Sequence, residues 1–203
     1  MDRRSTLQWM LAATALPAWG DTSATPGGGR AKGYGTDPDL VKRYRAGELW
    51  PLTFTARQRR TAAALCGLII PADEQSPSAA QLDVHLFIDE WISAPYPAHA
   101  KDRKQIVQGL AWIDREVRQR FGKTFAAASA AQQRKICDDI CWKPKAAPHF
   151  ADAAAFFARF RDLTAGGFYT TPQGAKDLRF VGNQPSPSFD GPPLAALQMV
   201  GVA

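Results

Sequence analysis

Apolar residues in this chain recur at intervals of three and four and never in clean alternation, which commits it to helices packed on helices. In TARQRRTAAALCGLII, Ala62, Leu65, Cys66, Ile69 and Ile70 fall on one side of a 3.6-residue period, behind a Thr53 or Thr55 cap and ahead of Pro71. SAAQLDVHLFIDEWIS, begun by Ser78, offers a stripe of Leu82, Leu86, Phe87 or Ile88, and Trp91. A third run, from about Asp102 to Phe121, sets Ile106, Leu110, Ile113 and Val117 opposite Arg and Glu, and Gly122 closes it. ASAAQQRKICDDICW, ended by the Lys143 and Pro144 turn, makes a fourth. PHFADAAAFFARFRDLTAGGF makes a fifth, burying Phe156, Phe157, Phe160 and Leu163, with Gly166 and Gly167 predicted as its end. Thr36, Asp37 and Pro38 can open a short additional helix that Gly47 stops. The expected fold is all-α: an irregular bundle of five or six helices with largely antiparallel neighbours. A chain of 203 residues, 45% of them hydrophobic, can enclose one real core.

The two ends read differently. MDRRSTLQWMLAATALPAWG sets Arg3 and Arg4 before an apolar run of about eight residues, too short to span a bilayer. It reads as an export signal rather than an anchor. The early arginine pair fits a twin-arginine signal, which carries proteins already folded in the cytoplasm. An ordinary signal with two arginines is the alternative, since Thr6 and Gln8 depart from the usual pattern. The expected organisation is an export signal over 1–20, a flexible glycine-rich tether over 21–36, a helical domain over 37–181, and an extended proline-rich segment over 182–203. Pro185, Pro187, Pro192 and Pro193 interrupt that last segment, yet Phe180, Val181, Phe189, Leu194 and Leu197 are too apolar for a solvated tail. It should lie against its own core or a partner.

Chemistry is hard to find along the chain. Net charge is +6, with basic residues scattered among helices, so nucleic-acid binding is not implied. Three cysteines without a CxxC pair do not suggest a zinc or iron-sulfur site, and covalent haem would need CxxCH. For an exported chain, one disulfide and one free thiol is the simplest arithmetic, Cys66 pairing with Cys137 or Cys141. His85 stands one helical turn from Asp89, an arrangement that orients a catalytic imidazole or merely decorates a helix. His99 and His149 fall in proline-flanked loops, and Asp138 and Asp139 are adjacent and so diverge on a helix. No GxGxxG follows a strand. The six tryptophans, Trp9, Trp19, Trp50, Trp91, Trp112 and Trp142, are assigned mostly to core or partner contact, a sugar platform being the alternative.

Two stretches carry a resemblance. LTFTARQRRTAAALCGLIIPADEQSPSAAQLDVHLFID and the segment GFYTTPQG from Gly167 to Gly174, with Val181, Gly182 and Asn183 after it, resemble the small third subunit of gluconate 2-dehydrogenase and related sugar and polyol dehydrogenases. The resemblance implies a noncatalytic periplasmic subunit, to which no catalytic, cofactor-binding or metal residue is carried over. It implies as partner an FAD-dependent large subunit of the glucose-methanol-choline type, with a multihaem cytochrome c subunit in some complexes. The signal-bearing small subunit would take the loaded flavoprotein through the twin-arginine machinery. Gly166, Gly167, Phe168, Tyr169, Val181, Gly182, Asn183 and Phe189 are the expected partner contacts, the alternative being that the glycine-aromatic motif only packs the last helix. An uncleaved leader would tether the complex to the membrane. The rival class is a stand-alone periplasmic sugar-binding module or enzyme using His85 and exposed tryptophans.

Overall fold

The computed structural model describes residues 44–180 and 191–202; Arg3, Arg4, Val181, Gly182, Asn183 and Phe189, and most of the helix expected before Gly47, lie outside them. Within the described residues there are seven α-helices and no strand. They are α1 (Ala56–Ile69), α2 (Val84–Ser93), α3 (Pro97–Phe121), α4 (Ala130–Ile140), α5 (Ala151–Tyr169), α6 (Pro172–Asp177) and α7 (Leu194–Met199), with 3₁₀ turns at Phe125–Ala127 and Pro148–Phe150. The expected all-α bundle is what forms.

Caps explain most boundaries. Thr55 and Gln58 form a reciprocal capping box at the start of α1, and Ser129 and Gln132 form the same box at the start of α4. Pro97 at the first turn opens α3, five residues earlier than expected, and Gly122 closes it in a left-handed cap. The expected start of the second helix at Ser78 is corrected. Ser78 and Gln81 do exchange the bonds of a capping box, but around a single non-helical turn. Asp83 then adopts a left-handed conformation, φ 54°, and the helix begins only at Val84.

That six-residue displacement changes which face of α2 is buried. Val84, Ile88 and Ile92 enter the core, whereas the expected stripe of Leu82, Leu86 and Trp91 is only half-buried and Phe87 is 36% exposed. Elsewhere the periodicity holds: Ile106, Leu110, Ile113 and Val117 from α3 meet Phe156 and Phe160 from α5, all essentially solvent-free. At the α3–α5 crossing Gly109 is required, since a Cβ there would lie 2.0 Å from the Phe156 ring.

Buried carboxylates tie helices together. Asp114 of α3 accepts from Arg57 Nε at 2.6 Å, Thr61 Oγ1 at 3.2 Å and Phe125 N at 3.0 Å. Asp89 of α2, fully buried, accepts from Thr53 N and Phe54 N, both at 2.9 Å, and faces Arg59 of α1 at 3.4 Å. Beside it Glu90 accepts from Gly47 N at 2.8 Å, and its carbonyl accepts from Trp50 Nε1 at 3.2 Å. The stretch leading into α1 is thereby clasped onto α2. The bonds from Phe125 N, Thr53 N, Phe54 N and Gly47 N each satisfy a backbone donor that burial would otherwise leave costly.

The far end departs from expectation. The segment over 182–203 was expected to be extended, but Leu194–Met199 is helical, because Pro193 stands at the N-cap, where its missing N–H is not needed. This helix buries no residue: Leu194, Met199, Val200 and Val202 are each more than 60% exposed.

Candidate partner-docking face

The two stretches that carry the family resemblance are almost a hundred residues apart in sequence and meet in space. In the loop before α2, Asp73 Oδ1 accepts from Gln75 N and Ser76 N at 2.8 Å, folding the PADEQSP turn on itself. Asp73 therefore caps its own turn. Across from it, Gln173 of α6 donates to Ser76 Oγ at 2.9 Å and to Asp177 Oδ1 at 2.8 Å, and Ser76 Oγ also donates to Asp177. A single polar knot joins loop and helix.

The glycine-aromatic motif beneath that knot is helical. Gly166 and Gly167 do not end α5, which runs on to Tyr169 and stops where Thr171 caps α6, accepting from Gly174 N at 3.0 Å and donating to Phe168 O at 2.7 Å. Gly167 is buried against α2: a Cβ there would lie 2.8 Å from Val84 Cγ1 and 2.6 Å from Phe87 Cδ1. Phe168 is buried as well, while Gly166 opens onto free space and Tyr169 is 42% exposed. Both readings of the motif thus find a residue pair: Gly167 and Phe168 pack the bundle, and Gly166 and Tyr169 face outward. Leu178 and Phe180, 58% and 63% exposed, follow directly after α6. Phe87, Tyr169, Leu178 and Phe180 therefore all sit at the end of the bundle where α2, α5 and α6 join. Sequence reasoning missed Phe87 and Leu178, the first because the start of α2 was misplaced.

The other candidate residues are occupied structurally. All three cysteines are free thiols, which corrects the expected Cys66 pairing with Cys137 or Cys141. Cys66 is buried in the α1–α5 contact, its sulfur 3.7 Å from Thr164 Oγ1, and Cys141 Sγ turns to Asp138 O within its own chain segment. Burial pushes the Cys66 and Cys137 thiols up to about 12. His85 does not hydrogen-bond Asp89, whose oxygens are taken by the 53–54 backbone and Arg59; its buried Nδ1 has no hydrogen-bond partner among the described residues, and desolvation holds its pKa below the ordinary value. His99 is not a solvated loop residue: it lies in α3, stacked on Trp91 at 4.3 Å, with Nδ1 2.8 Å from Trp91 O. Asp139 pairs with Arg120 at 2.6 Å. Of the described tryptophans, Trp50, Trp91 and Trp112 are half-buried, and Trp142 is 58% exposed. Among the described residues no group of three or more His, Cys, Asp or Glu is placed to hold a metal ion, and no helix is long and apolar enough to cross a membrane.

The fold is an all-α bundle in which Phe87, Tyr169, Leu178 and Phe180 are exposed near the Ser76–Gln173–Asp177 knot, with Trp142 exposed separately after α4. A sequence model of the family described as gluconate 2-dehydrogenase subunit 3 matches residues 56–188, about two thirds of the chain, and the chain belongs to that family. No curated protein and no solved structure matches it significantly. Membership in a family of dehydrogenase subunits is consistent with an auxiliary place in a dehydrogenase complex.

Proposed function

We propose that this chain is a noncatalytic small subunit that binds and stabilises the FAD-dependent large subunit of an exported sugar or polyol dehydrogenase, and escorts it through twin-arginine export to the periplasm. The observation that carries the reading is the end of the bundle where Phe87, Tyr169, Leu178 and Phe180 stay exposed on a scaffold fixed by the Ser76–Gln173–Asp177 knot. Aromatic and aliphatic side chains held rigidly in the open lose little conformational freedom on binding, which is what anchors an interface. The exposed apolar residues of α7 extend the surface such a partner would cover. Flavin would belong to the large subunit, as would any cytochrome c to a third; Arg3 and Arg4 would supply the address for both chains.

Co-expression tests it. The flavoprotein large subunit, produced with the wild-type chain, should be soluble, FAD-loaded and exported. With Leu178→Asp/Phe180→Asp it should lose association and export while the small subunit still folds, since both positions are exposed. Equal yield of exported, FAD-loaded enzyme with and without the small subunit would refute the escort role.

A further inference from the structure

A second feature lies away from the aromatic end. Between α3 and α5 runs a groove of about 830 Å³, floored by Trp112 and by the Gly109–Phe156 crossing. Its α3 wall presents Lys101, Lys104 and Arg115, and Lys143 reaches it from the turn after α4. All four are exposed, and none forms an ion pair among the described residues, whereas Arg159 in the same groove is already held by Asp102, Nε to Oδ1 at 2.8 Å. The α5 wall is short-chained, with Ala155 and Ala158, and carries Asp152 and Asp162. Thus one wall is cationic and unpaired, whereas on the other Asp162 is paired with Arg161 at 3.1 Å and Asp152 is the acidic side chain with no ion pair among the described residues.

We infer that this groove receives an acidic polypeptide segment of the large subunit, as a second contact separate from the aromatic end; the inference rests on the subunit role proposed above. Charge complementarity selects the occupant. Lys101 to Arg115 spans fourteen residues of α3, roughly 21 Å, which matches about six residues of extended chain or four turns of helix. Carboxylates along one edge of such a segment would meet the four cations, and a basic or amide side chain on its other edge would meet Asp152. A polyphosphate or nucleic acid, anionic on every side, would be repelled by Asp152 on the second wall. A flat lipid surface would not enter a groove whose floor is an indole between two helices.

The segment of this chain over 181–203 is a poor occupant, because its only charged side chain is Asp190. The groove and the aromatic end would therefore act as two contacts, the first steering encounter through charge and the second fixing the complex by burial.

The test uses the full-length chain and the FAD-containing large subunit purified with it, measuring affinity from low to high salt. Lys101→Glu/Lys104→Glu/Arg115→Glu/Lys143→Glu should weaken association at least about tenfold at low salt and flatten its salt dependence, since exposed pairs are individually weak but four become repulsive together. The milder Lys101→Gln/Lys104→Gln/Lys143→Gln should show the same direction if the reversal disturbs folding. Unchanged affinity and salt slope in both variants, with Leu178→Asp/Phe180→Asp still abolishing binding, would overturn the groove inference alone. Failure of the wild-type chain to bind the flavoprotein would overturn the subunit reading itself. Displacement of the large subunit by inorganic polyphosphate at equal affinity would overturn the polypeptide assignment.

Discussion

Two adjacent glycines near the end of α5 should respond to the same substitution with opposite sign. Gly166→Ala adds a methyl group that meets nothing within 4 Å, inside a helix that runs three residues further. Alanine should stabilise there by about 0.5–1 kcal/mol, by restricting the unfolded chain and favouring helix. Gly167→Ala makes the same helical gain but drives its Cβ to 2.8 Å from Val84 Cγ1 and 2.6 Å from Phe87 Cδ1. The Phe87 ring is partly exposed and can swing aside; Val84 is 1% exposed and β-branched, so it cannot. Overpacking of about 2–3 kcal/mol then exceeds the gain, for a net loss of about 1–2 kcal/mol. For a domain of this size that is a fall in Tm of roughly 2–8 °C, against a rise of roughly 1–4 °C for Gly166→Ala. Urea and thermal unfolding of the two variants beside wild type measure both. A double-mutant cycle with Val84→Ala should show coupling above about 0.5 kcal/mol for Gly167 and none for Gly166. Equal or greater stability of Gly167→Ala would refute the close α2–α5 approach, and with it the assignment of Gly167 to packing rather than to a partner.

Asp102 is held below the ordinary carboxylate range, chiefly by its hydrogen bonds from Arg159 and also by that from Trp91 Nε1, against an opposing desolvation. Because the folded value is depressed, its stabilising contribution is complete above the ordinary value of 3.8 and is lost as pH falls through the lower folded one. Asp102→Asn should therefore flatten the acid limb of the stability curve below that pH, read by urea unfolding at stepped pH; a limb identical to wild type would contradict it. Alkylation of the native protein at pH 8 should modify Cys141 quickly and leave Cys66 and Cys137 untouched, with all three labelled in denaturant. Mass mapping that finds only one reactive thiol in denaturant would restore the disulfide.

Helix identity was legible wherever the apolar period was long, as along Ile106 to Val117, because burial there follows the period directly. Boundaries were legible where a cap acts alone, as at Thr55 and Gly122. They were not where a local signal serves another end: Ser78 and Gln81 make a true capping box around a turn that Asp83 then breaks, and Gly166–Gly167 resembles a stop although packing against Val84 keeps it helical. The convergence of Ser76 on Gln173 and Asp177 is a tertiary fact with no local trace in the chain. The groove left a faint one, since Lys101 and Lys104 stand three apart on the same side of α3, but its opposing wall lies some fifty residues further along.

The clasp of Gly47, Trp50, Thr53 and Phe54 onto Glu90, Asp89 and Ser93 has a mechanical corollary. Traction on the polypeptide ahead of residue 44 enters the bundle through these bonds before it reaches α1. The bonds run from Gly47 to Phe54 onto the carboxyl end of α2, so this clasp takes up such a pull ahead of α1.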